Sequence, residues 1–486
     1  MLAALAPLLL ALNGAPALPA AAAPQRSIDG GEVVLEVHDA DGRRLGWDAF
    51  RRRQDNGHGE KGHNDVLLDP HDLTVIESGP LYSSNAQGNG DPALQWPGRP
   101  AALALAWPTS LGYSNLIVDL PGPGRYDLGL LAARQAAERL ERLLDARPGY
   151  RPSALFEREH ARVQALLDKA QTAAADRGLG MRALDTAAEA TLLLLTESGL
   201  QCARARAPGE LQWGFTLDTV EDAERALTSV AELAPGDGWV RLVFDRIEPP
   251  RTYRTAVEVA HHLGVRVVGQ ILDSSQMKDV SPPAWRERVR RYVDALPDVD
   301  EWEVGNEVNG TWLGPDVVAK VAYAARYVRA HTRARTLLTL HWQLGEDQPR
   351  SSMFEWSARH LSPQLLRDID DIGISLYPED NPMGLALDRV LETLHARFSA
   401  QRVLISELGY WSPDLGHLWW WGSADRPQDT GRVAVARLYG SAILGYPYAA
   451  GGTYWWYYRQ DALEATSLRR EFAALHARAA GARHGG

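Results

Sequence analysis

From Gln212 onward the chain alternates β-type runs with amphipathic helical stretches, eight times over. The runs are LQWGFTLD, WVRLVFD, RVVGQILD, EWEVGNE, TLLTLHW, DIGISLYP, RVLISELG and GGTYWWYY, and between them lie segments such as VEDAERALTSVAEL, RTAVEVAHHLG and WRERVRRYVDAL. Strands joined through a helix run parallel with right-handed crossovers. Eight such units in about 270 residues match an α/β fold of the (β/α)8 TIM-barrel type, which typically needs about 250. An open doubly wound sheet is the alternative, and its usual glycine-rich turn after the first strand is missing. The barrel is expected over residues 208–480.

The chain ahead of it reads differently. Residues 28–127 alternate short apolar runs (EVVLEV, DLTVIES, AALALAW, NLIVDL) with Gly, Pro, Asn and Asp clusters and end at the turn PGPG, which predicts a small β-sandwich-like region. Residues 128–207 carry helical periodicity: Leu131, Leu140, Leu143 and Leu144 mark one helix, Phe156, Val163, Leu166 and Leu167 a second, and Met181, Leu184 and Leu192 to Leu195 a third. These helices are expected to form a linker layer between sandwich and barrel. Residues 1–23 form an apolar run that becomes small-residue-rich near Ala20 to Ala23, resembling a secretory signal, although no Lys or Arg precedes Arg26. A secreted or periplasmic location is the expectation. No other stretch is long and apolar enough to predict a membrane span.

Composition narrows the partners. The net charge is −11 and no basic run gathers the Lys and Arg, which argues against a nucleic-acid footprint. Cys202 is the single cysteine, so neither an internal disulfide nor a multi-cysteine zinc site is available. Sixteen Trp, many in the last third, supply flat apolar faces of the kind that stack on sugar rings.

A barrel brings the C-terminal ends of its strands to one face. Glu307, in EWEVGNEVNG, is placed at the end of the fourth strand and Glu407, in RVLISELGY, at the end of the seventh. Two facing carboxyl groups are what acetal cleavage requires: one protonates the departing oxygen, and the other attacks the sugar carbon or activates water.

On these residues the chain resembles the clan of retaining (β/α)8 glycoside hydrolases that carry an acid/base Glu on strand four and a nucleophile Glu on strand seven. The motif Asn306-Glu307 matches the acid/base position and Glu407 the nucleophile. Arg241 in WVRLVF matches an arginine of strand two, Tyr377 in SLYP a tyrosine of strand six that contacts the nucleophile, and Trp455 in TYWWYY the aromatic floor of strand eight. The resemblance implies double displacement on a β-linked oligo- or polysaccharide, without metal or other cofactor. It also implies that Glu307 is kept protonated by burial and the charge of Glu407, and that Arg241 and Tyr377 keep Glu407 ionised. Asn306 would then reach the sugar 2-hydroxyl.

Adjacent strand residues face opposite ways, so only one of Trp455 and Trp456 can line a cavity; Trp455 is the expected one. The loop YWSPDLGHLWWWGS offers Trp411, Trp419, Trp420 and Trp421, and Trp312 follows strand four; Trp312, Trp411 and Trp421 are candidate sugar platforms. His341, with Trp342, ends strand five on the same face and is a further candidate contact. His261 and His262 fall in a predicted helix on the distal side, and no His-x-His marks the first strand, which weighs against a metal-dependent hydrolase. The rival from another class is a non-catalytic glycan-binding protein on the same scaffold.

Overall fold

The computed structural model describes residues 31–54, 65–109, 112–173, 175–207, 209–346, 348–379, 381–410, 428–456 and 467–481. The signal-like segment 1–23 and the tryptophans 411 and 419–421 lie outside the described residues.

The N-terminal strands are β1 (Glu32–Glu36), β2 (Asp65–Leu68), β3 (Val75–Ser78), β4 (Tyr82–Ser83), β5 (Pro92–Gln95), β6 (Ala101–Thr109), β7 (Gly112–Leu120) and β8 (Gly124–Asp127), with helix α1 (Trp47–Gln54) after the first. They form two sheets, in the orders β4-β5-β1-β8 and β3-β2-β6-β7. The hairpin β6–β7 is the longest antiparallel ladder, and Trp107 of β6 meets Phe50 of α1 at 5.9 Å. Asp127 ends β8 and caps the next helix by accepting from Leu130 N at 2.9 Å.

Three helices follow: α2 (Leu128–Asp145), α3 (Ala154–Thr172) and α4 (Leu179–Ala203). The alanine- and leucine-rich α4 is buried along most of its length, because it packs on α2 and α3 and also against the last helices of the barrel.

The barrel is β9 (Trp213–Leu217), α5 (Ala223–Leu233), β10 (Gly238–Val243), α6 (Arg251–His262), β11 (Arg266–Gln270), α7 (Pro282–Ala295), β12 (Glu301–Gly305), α8 (Val317–His331), β13 (Arg335–His341), α9 (Met353–His360), α10 (Pro363–Leu366), β14 (Asp371–Leu376), α11 (Leu387–Arg397), β15 (Arg402–Leu408), α12 (Gln428–Ala442), β16 (Ala449–Gly451) and α13 (Ser467–Ala480). The eight strands pair in sequence order, all parallel. Single bridges Gln212 to Gly451 and Phe215 to Trp455 join first to last, so the sheet closes into a barrel and is not open.

Two details depart from the sequence reading. Strand eight does not run through GGTYWWYY: Gly451 and Gly452 turn the chain at φ +88° and +82°, regular strand pairing stops at Gly451, and beyond it the chain keeps only single links, among them Gly452 N to Gln212 O, Leu408 N to Tyr454 O and the bridges of Trp455 to Leu408 and Phe215. The helical layer also does not separate the β region from the barrel everywhere, since Asn115 N of β7 donates directly to the Met383 carbonyl at 3.2 Å.

One contiguous apolar core contains residues of the sheets (Val33, Leu103, Val118), the helices (Leu140, Leu184), the outer barrel face (Val240, Ile372) and the barrel helix α12 (Val435). Inside the barrel a small apolar layer, Trp239, Val268, Leu337, Leu404, Ala450 and Tyr454, separates two polar ones. At the N-terminal end, Arg335 and Arg402 clamp buried Asp371, each through two bonds of 2.7–2.9 Å. Glu301 lies beside it; burial, then the charge of Asp371, push Glu301 well above the usual carboxylate range. The other polar layer forms the site.

Candidate active site

Both catalytic candidates sit at irregularities. The β12–β13 ladder shifts register between Glu303 and Gly305, and β14–β15 shifts so that Ile374 faces Ile405 but Ser375 faces Glu407. That bulge turns Ser406 and Glu407 to the same side, where strict alternation would admit only one. Ser406 Oγ meets Thr339 Oγ1 at 2.9 Å while Glu407 reaches the cavity. Glu307 is not a strand end as expected. It lies beyond β12 in the left-handed region, φ +49°, one of three such non-glycine residues among the described ones. This conformation costs on the order of 1–2 kcal/mol. It is held by Gly310 N to Glu307 O at 2.8 Å and Val308 N to Thr339 O at 3.1 Å. Strain of this kind concentrates where function fixes a geometry.

The two carboxylates wear different partners. Glu407 accepts from Arg241 Nη2 at 2.8 Å, Asn306 Nδ2 at 3.3 Å and the Tyr377 hydroxyl at 2.6 Å. Glu307 accepts from Ser274 Oγ at 2.6 Å and Ser375 Oγ at 2.8 Å, and His341 Nδ1 stands 3.4 Å from its Oε1. Arg241, fully buried, is shared with a third carboxylate: its Nε donates to Glu303 at 2.7 Å, and Thr339 Oγ1 donates to the same group at 2.6 Å. Burial works against the guanidinium charge, but Glu303 and then Glu407 hold Arg241 above its usual range.

Burial and neighbouring groups push the two carboxyls in different directions. Burial lifts Glu407 to about 7 against the pull of Arg241, with Glu307 adding to the rise and Tyr377 opposing it. Burial would lift Glu307 too, but the hydrogen bond and charge of His341, then Ser274 and Ser375, reverse it and hold the carboxyl at about 2. The sequence gives no account of this, because the imidazole and the two hydroxyls reach Glu307 from other strands.

Hydrogen-bond chemistry constrains which carboxyl can carry a proton without disruption. Arginine and amide N–H groups only donate, so Glu407 is built to accept. Hydroxyls and a neutral imidazole both donate and accept, so Glu307 can bind a proton and keep its partners.

Asn306 is brought to the site. Its amide is buried, accepting from Ser274 N at 3.0 Å while donating to Glu303 and Glu407 at 3.2 and 3.3 Å, so it ties two loops to both carboxylates. Trp455 is buried and meets Phe472 of α13 edge-on at 5.7 Å, whereas Trp456 stands 5.6 Å from the Arg241 guanidinium and is partly exposed. The two-glycine turn resets the alternation. Trp312 is beside the site, edge-on to His341 at 5.4 Å, but Trp342 is buried. Trp411 and Trp421 lie outside the described residues. His261 pairs with Asp300 at 2.9 Å, at the opposite end of the barrel.

Sequence reasoning missed Glu303, Ser274, Ser375 and Asn309. Glu303 had a signal, since EWEVG puts Glu301 and Glu303 on one strand face. Asn309 donates to the carbonyls of His341 and Ser351, both at 2.8 Å, and accepts from His341 N at 2.7 Å. Among the described residues, no group of three or more His, Cys, Asp or Glu is arranged to hold a metal ion.

No protein-family model and no curated protein matches the chain. Solved structures similar to it include a GH113 β-1,4-mannanase (12% identity over 55% of this chain and 98% of that one, TM-score 0.38). The GH113 β-mannanase of Alicyclobacillus acidocaldarius aligns at 16% identity over 56% of this chain and all of its own, TM-score 0.37. A GH10 xylanase from Bispora sp. MEY-1 aligns at 15% over 53% and 86%, TM-score 0.37. Overlap this low leaves the chemistry to be argued from the side chains of this chain.

Proposed function

We propose that the chain is a glycoside hydrolase that cleaves β-linked glycans by retaining double displacement. The observation that carries this reading is the unlike clothing of the two carboxyls: Glu407 meets two N–H groups that can only donate, beside the Tyr377 hydroxyl, whereas Glu307 meets hydroxyls that can reverse. Glu407 attacks the anomeric carbon while Glu307 gives its proton to the leaving oxygen; Glu307 then takes a proton from water, which displaces Glu407 and releases the sugar. Trp312 and Trp456 offer faces for the substrate. A secreted or periplasmic setting suits a polysaccharide substrate and belongs to the same proposal.

A second reading exchanges the roles, Glu407 as acid and Glu307 as nucleophile, because burial pushes Glu407 upward while the His341 charge pulls Glu307 downward. One experiment separates them. Wild type, Glu307→Ala and Glu407→Ala are assayed on a panel of β-glycans and on aryl glycosides with good leaving groups. Azide should rescue Glu307→Ala to a β-glycosyl azide and Glu407→Ala to the α-anomer; the reverse pattern exchanges the roles. Retained sugar binding with no turnover in the wild type refutes the hydrolase and leaves a glycan-binding protein.

A further inference from the structure

We propose that the sheet β3-β2-β6-β7 is a working wall of the candidate site: it fixes the loops that leave β13 and β14, and with them His341 and Tyr377, the residues that touch Glu307 and Glu407. Both edge strands of the sheet make the contact. From β3, Ser78 Oγ donates to the Glu346 carbonyl; from β7, Asn115 Nδ2 donates to Glu346 Oε1 at 3.2 Å. Glu346 belongs to the loop that follows His341. The far side of that loop is gripped by Asn309, whose amide closes on the backbone of His341 and Ser351. The loop is therefore held between the β region and the turn that carries Glu307.

The second loop is held in the same way. Leu385 N donates to Ser114 Oγ at 2.7 Å, next to the bond from Asn115 N to the Met383 carbonyl. Each loop has a glycine of positive φ where the sheet arrives, Gly345 at +100° and Gly384 at +49°. A Cβ on Gly384 would lie 2.5 Å from Ser114 Oγ, and one on Gly345 would lie 3.0 Å from a methyl of Val75. The loops are shaped to receive the sheet. Outside these contacts, Arg389 pairs with Asp119 at 2.8 Å and Arg139 with Asp388 and Glu392, and the apolar core is continuous across the boundary. An appended sugar-binding module would need none of this.

The kinetic consequence rests on the hydrolase reading, but the structural one does not, and the test uses both. In the full chain, Asn115→Ala should speed amide hydrogen exchange in residues 342–352, and Ser114→Ala in residues 377–386, each by roughly five- to tenfold, as losing about one hydrogen bond implies. Strands β9 to β11 should not change. Ser78 is only part-buried, so Ser78→Ala loosens the first loop without disturbing the core. Turnover should fall by roughly tenfold with KM moved by less than about threefold, because misplaced catalytic neighbours cost the transition state more than the bound substrate. Unchanged exchange in the two loops, or a rise spread evenly over the barrel, overturns the proposal. If the loops loosen as expected and the wild type turns over no glycoside, the wall stands and the hydrolase reading falls. If the wild type is active and the variants keep rigid loops and full turnover, the reverse holds.

Discussion

Tyr377→Phe isolates one bond on which the proposed nucleophile depends. The hydroxyl donates at 2.6 Å to Glu407 Oε1, and Glu407 is only 6% exposed, so water has little room to replace it. A hydrogen bond to a charged group contributes about 1.5–3 kcal/mol, and each pH unit corresponds to about 1.4 kcal/mol. Tyr377 opposes the burial that lifts Glu407 to about 7, so its loss raises the carboxyl further. A nucleophile must be ionised, so kcat/KM should rise through about 7 in the wild type. The acidic limb of the mutant should lie higher by on the order of one to two pH units. The assay is a pH–rate profile on an aryl glycoside, with plateau rates compared well above the limb. A limb that stays in place or moves downward refutes the reasoning, because the hydroxyl would then not be stabilising the charged form.

Three other substitutions test the electrostatics. His341→Ala removes the largest of the groups that hold Glu307 down, so Glu307 rises; the stability its ionised form contributes, present above the normal carboxylate range and lost as pH falls through about 2, should shrink in urea melts at neutral pH, Ser274 and Ser375 keeping the remainder. Arg241→Met strands Glu303 and Glu407 together in the barrel and should cost about 3–5 kcal/mol in urea unfolding at pH 8, less at pH 5 where the carboxyls can protonate. Glu301→Gln puts a neutral isostere where burial and the charge of Asp371 push the carboxyl well upward, so stability at pH 7 should change by less than about 1 kcal/mol and turnover not at all; a large loss would mean the group is ionised.

The barrel could be read from the chain because strand–helix alternation is local, and parallel pairing leaves few topologies for eight units. The placement of Glu307 and Glu407 followed from the same register, since strand ends map to one face, whereas Arg241 and Tyr377 were picked out only by the resemblance to a glycoside hydrolase clan. Strands β2 and β5 escaped notice because each is four residues beside a turn-rich loop, too short for period-two alternation to show.

What the sequence by itself determined is the order of elements and the set of residues able to meet at one end of the barrel. Only the tertiary structure decided which of them meet and which way burial and neighbours push their acidity. The bulge that turns Ser406 and Glu407 to one side, the glycine turn that puts Trp456 and not Trp455 at the cavity, and the left-handed Glu307 are departures from periodicity, fixed by partners distant in the chain. The proton order of the carboxyls depends on burial and on through-space contacts with His341, Arg241 and Tyr377, each from a different strand. Such energies sum over neighbours in space, and no run of adjacent residues records them.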